Sequence, residues 1–204
     1  MKSPRVTIID YESGNIRSVA QALHKIGAEA EVTSDPKLIQ QSQAVILPGV
    51  GSATQAMREL HKRNLIAPIK RFISTGKPFL GICLGLQILL ENSQEGDTEC
   101  MGIIPGTVKY FNTEQKVPHM GWNTVQILTE HPLFDSIDDH EYFYFVHSYF
   151  AAPDSPNNIL GVTQYGDVRF CSVATKDNVI ATQFHPEKSG HAGLTIYKNF
   201  VNLD

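Results

Sequence analysis

Cys83 stands in Gly81-Ile82-Cys83-Leu84-Gly85, a potential nucleophile with a glycine two residues away on each side. Cysteine reacts as the thiolate. The Gly-x-nucleophile-x-Gly spacing suits a sharp strand-to-helix turn that carries the side chain at its tip. Glycines belong there because a tight bend leaves little room for a Cβ and favours positive φ nearby. A helix starting just after the bend would add positive potential and free N–H groups, both of which favour thiolate.

A thiol used this way needs a base, and the base needs a third group to fix its tautomer. Gln183-Phe184-His185-Pro186-Glu187-Lys188-Ser189 offers both. In extended backbone residues i and i+2 project to the same side, so Glu187 can lie beside His185. Pro48-Gly49-Val50-Gly51 offers the remaining part. An N–H from Val50 or Gly51, with that of Leu84, could hold a developing oxyanion. Each stretch alone also has an ordinary reading: a buried core thiol, a His-Pro-Glu loop, and a plain strand-to-helix connection. Together they point to acyl transfer by a Cys–His–Glu set.

The elements that must position these residues follow from the apolar pattern. Val6–Asp10, Ala28–Thr33, Ala44–Leu47 and Phe79–Ile82 read as strands. Ile16, Val19, Ala20, Leu23 and Ile26 recur at helical spacing, with Gly27 as the stop. Asp35-Pro36 opens a short helix, and helical stretches follow through Met57 and Leu60, from Ile66 to Ile73, and from Leu86 to Glu91. The alternation predicts an α/β fold, a doubly wound, mostly parallel sheet with helices on both faces. From Thr107 to Ile127 and from Tyr142 to Thr182 the runs become short, aromatic and β-branched. They predict antiparallel strands in the C-terminal half, at the sheet edge or in a side layer. Ala151–Asn158 reads as a surface loop and Ala192–Phe200 as a closing helix.

The 204 residues suit one domain, 1–204, and the net charge of −4 gives no hint of a nucleic-acid partner. Neither a signal peptide nor a membrane-crossing run is apparent, and Met1–Arg5 leads straight into a strand pattern, so the expected compartment is cytoplasmic. Three scattered cysteines, Cys83, Cys100 and Cys171, argue against a disulfide framework, and Cys100 and Cys171 read as structural thiols. The eight histidines show no metal-site spacing. His147 reads equally as a substrate-side residue or a half-buried strand histidine. His119 reads as a loop residue, and His24, His61, His131, His140 and His191 as surface. No Gly-x-Gly-x-x-Gly follows Asp10, which argues against a nucleotide site.

Gly-Ile-Cys-Leu-Gly-Leu-Gln, Gln-Phe-His-Pro-Glu-Lys-Ser and Pro-Gly-Val-Gly together resemble the class I (triad) glutamine amidotransferases, which have a flavodoxin-like architecture. Ile8–Val19, Val117–Asn123 and Tyr144–Tyr149 narrow the resemblance to the glutaminase subunits of imidazole glycerol phosphate synthases, over essentially the whole chain. The resemblance implies that Cys83 attacks the glutamine side-chain amide, that His185 transfers protons and that Glu187 orients His185. It implies an oxyanion hole from Val50, Gly51 and Leu84. Gly49, Gln87, Glu95, Ser148 and Tyr149 would bind the substrate. Ammonia would pass to a (β/α)8 cyclase subunit, which would make imidazole glycerol phosphate and an aminoimidazole carboxamide ribotide in histidine biosynthesis. Asn15, Met120, Trp122 and Asn123 would face that cyclase in a heterodimer. No cofactor, metal, nucleic acid or membrane is implied.

Two positions depart from the family pattern. Glu12 stands where glycine is usual, beside the partner-facing turn, and Ala181 where glycine is frequent before His185. Three other readings stay open on residues alone. A glutaminase could serve another acceptor, in pyridoxal phosphate or purine synthesis; the Trp122 segment argues against it. A cysteine peptidase of this fold would place histidine directly after the nucleophile, where this chain has Leu84. A binding module would have no need for Cys83, His185 and Glu187 together.

Overall fold

The computed structural model describes residues 5–203; the expected Met1–Pro4 lead-in lies outside them. Five strands form the parallel part of the sheet: β1 (Arg5–Ile9), β2 (Glu29–Thr33), β3 (Ala44–Leu47), β4 (Phe79–Ile82) and β13 (Val179–Thr182). Their spatial order is β2-β1-β3-β4-β13. Strands covered on both faces need apolar residues throughout, and β3, β4 and β13 are buried at every position. Helices α1 (Ile16–Lys25), α2 (Pro36–Gln41), α3 (Ala53–Lys62) and α4 (Ile66–Ile73) make the connections. Side-chain caps start two of them. Asp35 accepts the Lys37 N–H at 2.8 Å and Ser52 accepts the Gln55 N–H at 3.3 Å.

The expected helix over Leu86–Glu91 is instead a single turn, α5 (Leu84–Gln87). The segment is buried on every side up to Leu90, with no solvent face to pattern a longer helix. The carbonyls of Ile88, Leu89 and Leu90 accept N–H groups from Met101, Gly102, Ile103 and Ile104 at 2.8–3.0 Å. A neighbouring segment thus takes the bonds that would have continued the helix.

The C-terminal half adds antiparallel structure, as the β-branched runs predict. A tight pair, β5 (Asn92–Ser93) and β6 (Thr98–Glu99), sits beyond β7 (Gly106–Tyr110). It is followed by β8 (His119–Ile127), β9 (Glu141–His147), β10 (Tyr149–Pro153), β11 (Ile159–Tyr165) and β12 (Val168–Lys176). β12 joins the parts, pairing with β13 at one end and with β10 and β11 along the rest. β10 overturns the expected surface loop at Ala151–Asn158: Ala151 is fully buried and pairs with Val108 and Cys171. The loop reading holds for the rest of the stretch, where a bend at Asp154 and Ser155 leads into a 3-10 turn at Pro156–Asn158. Helix α6 (Gly190–Phe200) closes against α1 and the turn at Pro186–Lys188.

The consequence for chemistry is positional. β13 comes from the end of the sequence yet lies parallel to β4, with Thr182 opposite Ile82. Both strands therefore release the chain at the same edge, the carboxyl edge where open α/β sheets hold their ligands.

Candidate active site

Cys83 leaves β4 at φ 54°, ψ −103°, outside the regions open to an ordinary L-residue. Such a conformation costs about 1–3 kcal/mol and persists only where its surroundings dictate it. They do so here. The Cys83 N–H donates to Thr182 O at 2.7 Å, and the Cys83 carbonyl accepts from Leu86 and Gln87. The flanking glycines are required by contact. A Cβ at Gly85 would sit 2.1 Å from Leu47 O, and one at Gly81 would meet the Gly85 backbone at 3.0 Å. The helix after the bend has one turn, so the macrodipole expected there is reduced to its first N–H groups.

His185 is fully buried. Its Nδ1 lies 2.7 Å from Glu187 Oε1. The pleated i, i+2 arrangement read from sequence is replaced by a turn: His185 is extended, and Pro186–Lys188 coil immediately after it. The carboxylate fixes the proton on Nδ1 and leaves Nε2 as the base. Nε2 has no hydrogen-bond partner of its own. Burial disfavours the imidazolium, but the charge of Cys83 and the hydrogen bond and charge of Glu187 outweigh it and raise His185 above its ordinary value. Burial likewise opposes the Glu187 charge, and His185 and Asn15 outweigh it, so the carboxyl is held below its usual range.

The support behind this pair was only partly readable. Asn15, expected on a partner-facing surface, is buried at 6% exposure, and its amide donates to Glu187 Oε1. That bond turns the side chain inward and corrects the expectation. Tyr197 Oη donates to Glu187 Oε2 at 3.2 Å, and Ser189 Oγ donates to His185 O at 2.7 Å. Gly193 lets α6 approach: a Cβ there would meet Pro186 O at 1.9 Å. Tyr197 lies one helical turn after Gly193, on the same face.

Cys83 and His185 open on a cleft of about 420 Å³. Val50, Gly51, Leu84, Gln87, Glu95, Ser148 and Tyr149 line it, with Pro118, Val146 and His147, while Gly49 lies behind the wall. A Cβ at Gly49 would sit 2.6 Å from Tyr11 Oη and 2.8 Å from Leu84 Cβ. Of the two expected oxyanion donors, the Leu84 N–H is already engaged by Gly49 O at 3.4 Å. Glu95 Oε2 accepts the Ala53 N–H at 2.6 Å.

Four further residues meet here without an unambiguous signal in the sequence. Gln183 is fully buried, with Nε2 3.7 Å from Cys83 Sγ. Tyr11 Oη donates to Pro48 O at 2.8 Å. His147 is buried and contacts the Tyr149 carbonyl through Nδ1 at 2.8 Å. His119, expected in a loop, starts β8 and is buried, with Nδ1 3.0 Å from His147 Nε2. Burial lowers His119 to about 4 and His147 to about 3, so both are neutral at pH 7.

Met120 and Trp122 are 62% and 55% exposed on β8. Asn123 next to them turns its amide inward, to Gln164 O at 2.9 Å and His119 Nε2 at 3.2 Å. Among the described residues no cluster of three His, Cys, Asp or Glu could hold a metal ion, and no helix is long and apolar enough to cross a membrane.

Comparison with known proteins agrees with this geometry. Residues 7–203 match the family model described as glutamine amidotransferase class-I. An imidazole glycerol phosphate synthase subunit HisH of Dehalococcoides mccartyi (strain CBDB1) is 47% identical over 199 residues, covering 97% of each chain. One of Methanothermobacter thermautotrophicus is 49% identical over 199 residues, covering 97% of this chain and 98% of that one. Among solved structures, PurLQS from Thermotoga maritima superposes with TM-score 0.77 over 98% of this chain and 99% of that one; at 20% identity it shares the fold alone. The chain therefore belongs to the class-I glutamine amidotransferase family and, within it, to the group of imidazole glycerol phosphate synthase HisH subunits.

Proposed function

We propose that this chain, 1–204 as one amidotransferase domain, is the glutaminase of an imidazole glycerol phosphate synthase, and that its triad is Cys83, His185 and Glu187. Cys83 Sγ attacks the side-chain carbonyl carbon of glutamine and its proton passes to His185 Nε2. The tetrahedral adduct collapses as His185 protonates the leaving nitrogen, so ammonia departs and a glutamyl thioester remains. Water, deprotonated by His185, cleaves the thioester and glutamate is released. Glu187 holds the imidazole through both halves. The observation that carries this reading is the strained Cys83 elbow facing a buried His185 whose Nδ1 is fixed by Glu187 at 2.7 Å.

The other assignments follow from chemistry. Glu95, with one oxygen on the Ala53 N–H, offers the other to an α-ammonium group. The Ser148–Tyr149 backbone suits the α-carboxylate; Gln87, whose side-chain NH2 is engaged by Tyr149 O and Gln183, supports that backbone from behind. The oxyanion is held by Leu84 N–H together with Val50 or Gly51, once the Gly49 carbonyl turns away from Leu84. Glycines on both sides of Val50 make that peptide rotation cheap. Ammonia passes through a channel to a (β/α)8 cyclase in a cytoplasmic heterodimer. Met120 and Trp122 make the docking surface, with Asn123 behind them. No cofactor, metal, nucleic acid or membrane takes part.

The test is glutamate release by the purified chain alone, with a histidine-pathway cyclase, and with cyclase plus its nucleotide substrate. A large rise only in the third mixture, lost in Cys83→Ala, is the expected result. Equal turnover by the free chain would sink the occluded-oxyanion reading. Inactivity in every mixture would overturn the acceptor assignment.

A further inference from the structure

We propose that Gln183 donates an N–H to the Cys83 sulfur and favours its thiolate form, with its amide locked in that sense by a polar chain that starts from one backbone carbonyl. The inference rests on Cys83 being the nucleophile and adds a fourth side chain to the site.

The direction of the amide is the heart of the matter, because an amide oxygen facing the sulfur would repel a thiolate. A backbone carbonyl can only accept. Tyr149 O lies 2.8 Å from the Gln87 side-chain amide, so that end of Gln87 must be its NH2 group. The second hydrogen of this NH2 points to the Gln183 side chain 3.3 Å away, which must therefore present its oxygen. The Gln183 NH2 is left facing Cys83 Sγ at 3.7 Å. Gln183 is fully buried and Gln87 nearly so, and the carbonyl that sets the order is part of the backbone and cannot turn as an amide can. The same carbonyl takes its other bond from His147 Nδ1 at 2.8 Å, and both of its lone pairs are used.

A donor to the charged form of an acid lowers its pKa. The thiol form has a different partner, Val146 O at 4.0 Å, a long contact that gives it little. The titratable groups around the sulfur are His185 with Glu187 behind it, Tyr11 from the loop after β1, His147 at the end of β9 and Glu95 in the cleft wall. Among the groups that touch Sγ, Gln183 is the neutral donor, so its effect persists whichever proton state His185 adopts during turnover.

Alkylation of Cys83 by iodoacetamide between pH 5 and 10, followed on the Cys83 peptide, reads the thiolate directly. Cys100 and Cys171 react more slowly because burial pushes their thiols up to about 11 and about 12. In Gln183→Met, of similar volume and without the N–H, the midpoint moves up by about one pH unit and the rate at pH 7 falls about tenfold. A wild-type midpoint in folded Gln183→Met overturns the proposal. Should that variant fail to fold, NMR of the wild-type chain decides. One of the two Gln183 side-chain amide protons shifts with the alkylation midpoint and the other does not; a flat response of both overturns the proposal. Neither experiment needs glutamine or a cyclase. A shifted midpoint in a chain inactive with every cyclase would therefore leave this contact standing and remove only the acceptor assignment.

Discussion

The triad corner and the Pro48–Gly51 loop border the same cleft and are built in opposite ways. In the corner His185 Nε2, the atom that must move a proton, is the one fully buried side-chain polar atom of the His185–Glu187 pair without a partner, and close backbone contacts fix the elbow from both sides. In the loop Val50 is 37% exposed, Gly51 has φ +97° with open space around it, and the Gly49 carbonyl occupies the Leu84 N–H that the proposed oxyanion hole would use. A nucleophile must be held in a strained geometry, which only dense packing can enforce. A switchable element must have two arrangements of similar energy, which dense packing would forbid. On the proposed function, the contrast would put regulation in the loop and chemistry in the corner.

The largest effect should come from removing the chemistry while leaving the frame. Cys83→Ala or His185→Ala should lower cyclase-stimulated glutamate release by about 10⁴-fold or more, because members of a triad act as a unit. Melting temperature should change far less. A residual rate within tenfold of wild type would break the comparison, since it would place the nucleophile elsewhere.

Two glycine substitutions sharpen it in stability. Gly85→Ala drives a Cβ to 2.1 Å from Leu47 O, where α5 is packed onto the end of β3, and should cost about 4 kcal/mol or more by the usual scale of severe core defects, enough to prevent folding. Gly51→Ala meets no atom within 4 Å and should cost only about 1–2 kcal/mol through its positive φ. Its mark should instead fall on the stimulated rate. Urea melts of the two proteins check the ranking, and equal losses would mean the loop is as tightly specified as the elbow.

How much of this was legible in the sequence follows from the same contrast. Parallel strands buried on both faces must be apolar throughout, so β3, β4 and β13 announced themselves. The elbow glycines were legible from their symmetric spacing about Cys83, although the contact that requires Gly85 is the distant Leu47 carbonyl, which only the folded sheet brings to it. The single-turn α5 was not, since Met101–Ile104 ends it by taking carbonyls that helix propensity alone would have kept. Asn15 lies 172 residues from Glu187, and no local pattern distinguishes an amide turned toward a carboxylate from one facing a partner. Gln183 stood inside a recognised motif, yet its role depends on Gln87 and Tyr149, which only the folded sheet brings to it.

Glu187 ties the corner to pH. Its folded-state carboxyl lies below the ordinary 4.5, so the stability it contributes is present above that value and is lost as pH falls through the folded one. Glu187→Gln should therefore flatten the acid limb of stability below about pH 4.5, relative to wild type. It should also slow turnover about 10²-fold or more by loosening the imidazole tautomer. Acid-range urea melts check the first effect; parallel acid limbs in the two proteins would show that the carboxylate is not held as the geometry requires.

The smallest effect separates support from chemistry within the corner itself. Tyr197 reaches only the outer oxygen of Glu187, at 3.2 Å, while Asn15 and His185 hold the inner one. Burial and the adjoining carboxylate keep the phenol protonated, so it acts as a donor throughout the working range. Tyr197→Phe removes one hydrogen bond and no volume, and should cost about 1 kcal/mol of stability. Turnover should fall a few-fold, because Glu187 Oε1 and the Nδ1 proton remain in place. A loss comparable to that of Glu187→Gln would mean that the orientation of the carboxylate, rather than its charge, governs His185. The dense side of the comparison would then extend one shell further, into α6.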